Sequence, residues 1–207
     1  MEIQILNWLQ SLHTPILDKI MQLITHLGDA GIIWIILTIV MILIPKTRKS
    51  GVIMAAALIV DVILCNVILK NLIARVRPYD VNTAVQILVA KPKDFSFPSG
   101  HTAASFASVT ALYLAGEKKL WKPALALAIL IAFSRMYLYV HYPTDIFGGV
   151  IFGSLSAWIG YQCSKKCSTF FKSNVRETWR VILVREADIF LSESLRILAE
   201  RLSQSET

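Results

Sequence analysis

The chain has 207 residues, of which 55% are hydrophobic and only 17% are charged, and its mean hydropathy is +0.58. Soluble globular domains have about 25% charged residues, so the composition excludes an ordinary soluble domain. The net charge of +7 falls in short clusters between apolar runs. That pattern argues against nucleic-acid binding and is typical of a membrane protein beside anionic lipids.

The first 26 residues differ from the rest. Between positions 3 and 24, apolar residues recur at helical spacing with polar residues between them, and Pro15 interrupts the pattern. We predict that residues 1–26 form an interfacial amphipathic helix, or else a first transmembrane helix.

Five later segments are apolar enough to cross a bilayer, which needs about 20 residues. They are 27–44, 51–69, 99–116, 121–140 and 145–162. The last contains Gly148, Gly149 and Gly153, and small residues favour close helix packing in lipid. The fold class predicted is all-α, a polytopic helical membrane bundle of five to six transmembrane helices. The membrane domain is 1–165, and the arginine-rich residues 166–207 are predicted to form a cytoplasmic amphipathic tail.

The basic loops set the orientation. Five spans place three basic clusters on one side, which the positive-inside rule makes cytoplasmic. These clusters are Lys46, Arg48 and Lys49; Lys118, Lys119 and Lys122; and Lys165, Lys166, Lys172, Arg176 and Arg180. Five further basic residues fall on the outer side, against the rule, and anion binding would explain them: Lys70, Arg75, Arg77, Lys91 and Lys93.

Three polar clusters end predicted spans on this outer face, at 70–78, 98–101 and 134–145. Lys70, Arg77 and Arg135 supply permanent positive charges, and guanidinium groups suit phosphate oxygens. Ser99 and Gly100 stand at a helix start, where free backbone N–H groups favour an anion. Together these five residues predict a phosphate-binding site.

Two histidines complete the site. Asp145 lies four residues after His141, so a helical turn would let the carboxylate orient the imidazole for attack on phosphorus. His101 can protonate the leaving oxygen and then activate water. We find no Asp/Glu cluster suited to magnesium or zinc, and we predict a reaction that is independent of metal and of any cofactor.

The pattern K-x6-RP (70–78), PSGH (98–101) and SR-x5-H-x3-D (134–145) resembles the three-part signature of the type 2 phosphatidic acid phosphatase (PAP2) superfamily without a mismatch. The resemblance implies a helical membrane bundle that uses a phosphohistidine intermediate on lipid phosphates. By position, His141 would be the nucleophile, Asp145 its orienting residue and His101 the acid. Phosphate would be bound by Lys70, Arg77, Ser99, Gly100 and Arg135. Family members commonly have six spans, whereas five and an interfacial helix are predicted here.

The predicted partners are a lipid phosphate substrate and membrane lipids, while the oligomeric state is left open. The outer loop 71–97 is short, as in the undecaprenyl pyrophosphate phosphatases of the group, so that diphosphate is the leading substrate. Phosphatidylglycerophosphate and phosphatidic acid are alternatives. A vanadate-dependent haloperoxidase would be soluble, and a non-catalytic anion-binding membrane protein would not require both histidines and Asp145.

Other polar residues lie outside these motifs. Asp61 is in the middle of a predicted span, and we expect it to face the bundle and bond to a Ser, Thr or Asn. Tyr137, Tyr139 and Tyr142 suit an aromatic belt at the membrane interface, and they could also flank a lipid tail that enters between helices.

Overall fold

A computed structural model describes residues 1–169, and all regular structure in that range is helical. The helices are α1 (Glu2–Gln10), α2 (Pro15–Leu27), α3 (Ile32–Leu43), α4 (Arg48–Asp61), α5 (Pro78–Val81), α6 (Gly100–Leu114), α7 (Trp121–Tyr137) and α8 (Pro143–Thr169). Helix α4 continues through a π-helical stretch, Val62–Leu69, and one further α-turn, Lys70–Ile73. Beyond residue 169, the predicted cytoplasmic tail lies outside the described residues.

Helix length limits how many elements can cross a bilayer. Within residues 1–169, the stretches Arg48–Val81 and Pro143–Thr169 are long and apolar enough. The pair Pro15–Leu27 and Asp29–Leu43, bent by 42°, counts as a third if it is one broken span. Helices α6 and α7 have 15 and 17 residues, fewer than the ~20 that a span needs. All five apolar segments contain helices, and the number of crossings stays a prediction.

The N-terminal segment forms two helices. Pro15 is the first residue of α2, where its missing N–H costs no hydrogen bond, and the Thr14 hydroxyl accepts from the Leu17 N–H at 3.3 Å. Leu6 and Leu9 of α1 are buried in a cluster with Tyr137. Helix α1 therefore packs against the bundle with its apolar face.

The three tyrosines are buried, so the prediction of an interface belt is wrong. The Tyr137 hydroxyl donates to Asp18 Oδ1 and the Tyr139 hydroxyl to Asn7 Oδ1, at 2.6 and 2.7 Å. A buried tyrosine hydroxyl needs a partner, and helices α1 and α2 supply these partners. The tyrosines thus join the N-terminal helices to the end of α7.

The glycines of α8 allow it to lie against α6. A Cβ on Gly149 would come 2.8 Å from Thr102 Cβ and 2.9 Å from the Ser99 carbonyl oxygen. A Cβ on Gly153 would collide with the Ala103 backbone. This confirms the predicted close packing at these two positions, which brings the start of α8 beside the start of α6.

Candidate active site

The three polar clusters of the sequence converge at one end of the bundle. A cavity of about 290 Å³ is lined there by six of the predicted site residues: Lys70, Arg77, Gly100, His101, Arg135 and His141. They come from the end of the α4 extension, the start of α6, the end of α7 and the two loops around α5 and before α8. Because antiparallel helices bring alternate chain ends together, residues up to 71 positions apart meet in one place.

His141 lies in the turn between α7 and α8 and is only 1% exposed. Its Nε2 is 3.2 Å from Arg77 Nη1, and its Nδ1 is 3.5 Å from Asp145 Oδ2. The second distance is too long for a well-formed hydrogen bond, and Nδ1 has no hydrogen-bond partner among residues 1–169. Burial, then Arg77 and Arg135, lower the pKa of His141 to about 3 against the opposing effect of Asp145. The imidazole is therefore neutral near pH 7, as a nucleophile must be.

Asp145 is fully buried and is held from several sides. Arg75 Nη1 donates to its Oδ1 at 2.6 Å, while the Tyr142 N–H, at 2.9 Å, and the Ser96 hydroxyl donate to its Oδ2. Arg75 also pairs with Glu2 of α1 at 2.5 Å. Sequence reasoning grouped Arg75 with the outer anion-binding cations, whereas the structure shows it neutralising and fixing Asp145.

The three cations that are predicted to bind phosphate are all buried. Lys70 forms an ion pair with Asp94, and Arg77 Nη2 donates to Asp94 Oδ1 at 2.6 Å. Arg135 Nη1 donates to Thr25 Oγ1 at 2.6 Å, and its buried Nε has no partner among the described residues. Arg135 thus keeps a donor that a substrate oxygen could use.

Asp94 was missed by sequence reasoning, and it occupies the position between Lys70 and Arg77. Although partial burial opposes it, Lys70 and then Arg77 lower the pKa of Asp94 to about 2. Its side chain is half exposed. The carboxylate therefore holds the two cations together at the point where a phosphate would bind, and the segment 82–97 that bears it contains no motif in the sequence.

The start of α6 supplies the remaining predicted residues. A Cβ on Gly100 would lie 3.1 Å from Asn66 Oδ1 and 3.5 Å from Lys70 Nζ, so glycine leaves room for these two side chains beside the helix start. Ser99 is buried beside the cavity and does not line it; its Oγ accepts from the Thr102 hydroxyl at 3.0 Å. Of the two phosphate ligands predicted at this helix start, only Gly100 reaches the cavity.

His101, the predicted acid, bonds to a residue outside the motifs. Its Nε2 lies 2.9 Å from Oδ1 of Asp29, in the 3-10 turn between α2 and α3. The second oxygen of Asp29 is 2.7 Å from Nδ1 of His26. Each of the two histidines that are predicted to be catalytic therefore has a carboxylate beside it.

A second cavity, of about 710 Å³, adjoins the first and shares Lys70, Asp94, Gly100 and His101 with it. Its wall includes the apolar side chains Ile35, Leu58, Val62 and Ala104. A lining that combines these apolar side chains with charged ones such as Lys70 and Lys93 fits a molecule with a phosphate at one end and a hydrocarbon at the other.

Asp61 lines this larger cavity and is almost fully buried, so it does face the bundle as expected. The expectation that Asp61 bonds to a Ser, Thr or Asn is wrong. The carboxylate lies beside the Cys65 thiol, and its Oδ1 has no partner among residues 1–169.

The described residues 1–169 include no group of three or more His, Cys, Asp or Glu side chains placed to hold a metal ion.

Comparison with known proteins adds a family match. The model of the PAP2 superfamily matches residues 49–168. An undecaprenyl-diphosphatase of Sulfolobus acidocaldarius is 31% identical over 63% of this chain and 63% of its own length. Phosphatidylglycerophosphatase B of Bacillus subtilis is 34% identical over 75% of this chain and 79% of its own. The crystal structure of a transmembrane PAP2-type phosphatidylglycerolphosphate phosphatase from Bacillus subtilis superposes with a TM-score of 0.64 at 30% identity, covering 80% of this chain and 85% of that one.

Proposed function

Because the chain belongs to the PAP2 superfamily and is by that membership a membrane lipid phosphatase, we propose that it moves a phosphoryl group from a lipid to His141 and then to water. The observation that supports this most is the buried His141, whose Nε2 faces Arg77 in a cavity that also contains Lys70 and Arg135. A neutral nucleophile surrounded by fixed cations is what attack on a phosphate dianion requires.

In the proposed first step, the Nε2 lone pair of His141 forms a bond to phosphorus and the bond from phosphorus to the lipid oxygen breaks. His101 gives its proton to that oxygen. Arg77, Arg135 and Lys70 neutralise the phosphoryl oxygens, together with the N–H groups at the start of α6. Asp145 orients His141 throughout.

In the second step, His101 takes a proton from water, the water oxygen bonds to phosphorus, and the bond from phosphorus to His141 breaks. The products are inorganic phosphate and a lipid alcohol, or a lipid monophosphate when the substrate is a diphosphate. No residue in this scheme uses a metal ion or a cofactor.

Undecaprenyl diphosphate is the substrate that we propose first. The larger cavity, with its apolar wall, offers room for the start of a long hydrocarbon chain beside the phosphate site. The undecaprenyl-diphosphatase relative supports this choice. Phosphatidylglycerophosphate is the second candidate, because a Bacillus subtilis relative named for it matches three quarters of the chain.

We further propose five spans with the site on the extracytoplasmic side. The Ser50 hydroxyl donates to Glu117 at 2.6 Å, which brings the basic loop before α4 and the basic loop after α6 to the same end of the bundle. The site residues lie at the opposite ends of these helices. The positive-inside rule then makes the basic end cytoplasmic.

The test is phosphate release by detergent-purified protein, in excess chelator, from undecaprenyl diphosphate, phosphatidylglycerophosphate and phosphatidic acid. We expect release to persist in chelator and to be fastest with undecaprenyl diphosphate. The variant His141→Ala should lose at least about 10³-fold in rate and should form no acid-labile phosphoprotein. Absence of release from all three lipids by folded protein would favour a non-catalytic anion-binding protein, and full activity of His141→Ala would refute the mechanism.

A further inference from the structure

We propose that Asp29 is a positioning residue for His101, so that the acid of the reaction has a carboxylate partner of its own. The inference rests on the proposed function, because it assigns Asp29 a part in the same site. Asp29 lies 72 positions before His101 and belongs to none of the three motifs, so nothing in their spacing indicates it.

The contact defines which ring nitrogen is engaged. His101 Nε2 donates to Asp29 Oδ1 at 2.9 Å, so Nδ1 is the other nitrogen and the one left to exchange a proton with a leaving oxygen or with water. The bond also fixes the plane of the ring, since a rotation about the side chain would break it. A general acid is effective only when its proton is held toward the leaving oxygen.

The turn that bears Asp29 is fitted to the imidazole. A Cβ on Gly28 would come 2.8 Å from His101 Cδ2 and 2.9 Å from Ile131 Cγ2, so only glycine allows the turn to lie against the ring. Ala30 and Gly31 both have positive φ, 49° and 68°, which turns the chain sharply between α2 and α3. Gly28 and Asp29 thus lie against two adjacent atoms of the same ring, Cδ2 and Nε2.

Asp29 is itself held in place. Its Oδ2 pairs with His26 Nδ1 at 2.7 Å, one helical turn earlier in the chain. The carboxylate also supplies a negative charge among cations: Lys70 and Arg135 line the same cavity as Asp29 and His101. An imidazolium formed there would be repelled by both, and a carboxylate at 2.9 Å offsets that repulsion.

Two substrates that differ in their leaving group distinguish a positioning role of Asp29 from a purely structural one. A lipid alkoxide leaves only with a proton, whereas a nitrophenolate leaves without one. We therefore compare single-turnover cleavage of a lipid phosphomonoester, phosphatidylglycerophosphate, whose leaving group is an alkoxide, with the first-turnover burst of nitrophenolate from a 2-nitrophenyl phosphate that bears an alkyl chain. The burst is used because the later hydrolysis of phosphohistidine again needs His101.

The variant Asp29→Asn keeps the shape of the side chain and removes its charge. We expect cleavage of the lipid phosphate to fall about 100-fold, near the lower limit for loss of a general acid, and the nitrophenolate burst to change less than about threefold. His26→Ala keeps Asp29 and removes its support, so it should show the same selectivity with a smaller loss. Asp18→Asn, which alters a carboxylate of α2 that is bonded to Tyr137, is the matched control and should show no selectivity between the two substrates.

The outcomes separate the two proposals. If His101→Gln slows both substrates equally, the acid role of His101 and the proposed mechanism are wrong. If His101→Gln is selective but folded Asp29→Asn slows both substrates equally, or neither, then Asp29 does not position the acid. Selective loss in both variants supports the inference.

Discussion

The two histidine–carboxylate pairs of this site are built in different ways. His141 and Asp145 are four residues apart at the start of α8, and both are buried. His101 and Asp29 are 72 residues apart on separate elements, and the Asp29 side chain is 47% exposed. The local pair is enclosed, and Arg75 forms an ion pair with its carboxylate. The long-range pair is near solvent, and the position of its carboxylate depends on a turn. The local pair therefore suits attack on phosphorus, the step that every substrate needs. The long-range pair suits proton delivery, which requires contact with water.

The largest effect that tests this comparison is expected from Asp145→Asn. The amide can no longer stabilise the positive charge that His141 gains when it bonds to phosphorus, and a loss of roughly 10²–10⁴-fold is expected. Unlike Asp29→Asn, it should slow the lipid phosphate and the nitrophenyl ester alike, because attack precedes loss of either leaving group. The measurement is the same pair of single-turnover assays, with the melting temperature as a check on folding. A selective effect would mean that Asp145 serves the leaving group instead.

A second test uses pH. Since the pKa of His141 is about 3 in the folded protein and 6.5 is usual for histidine, the folded state binds fewer protons than the unfolded state between these values. Stability contributed by the neutral, buried His141 is thus present above pH 6.5 and is lost as pH falls from 6.5 toward 3. We expect the melting temperature of the wild type to fall over that range.

The matched variant for this test is His141→Asn, which removes the titrating group. Its melting temperature should fall less steeply over the same pH range than that of the wild type. Equal slopes for the two proteins would show that His141 is not the group that is kept neutral by burial.

The smallest effect is expected at Asp94, a half-exposed carboxylate like Asp29 but one that faces the cations. In Asp94→Asn, Lys70 and Arg77 no longer have an internal anion that phosphate must displace. An ion pair this exposed is worth about 1 kcal/mol after solvent screening, or about a fivefold change in binding. We expect inhibition by inorganic phosphate and by vanadate to tighten by about that factor. Weaker inhibition would show instead that Asp94 is needed to hold the cations in place.

The sequence predicted much of the site because its motifs lie at helix ends. Lys70, Arg77, Arg135 and both histidines line one cavity, as their common face implied. Other expectations failed where a partner lies far away in sequence. The residue type of the three tyrosines predicts a place at the membrane interface, but α1 and α2 cover them.

The sequence by itself determined the apolar segments, the family signature and the pairing of His141 with Asp145, because each depends on composition or on spacing within a few residues. The tertiary structure alone decided that Asp29 meets His101 and that Arg75 fixes Asp145. It also decided that Asp94 lies between Lys70 and Arg77. These contacts join loops and turns distant in the chain, where no helical or strand period constrains which side chains meet. Only the packing of the helices sets those distances, through close approaches such as Gly28 against His101.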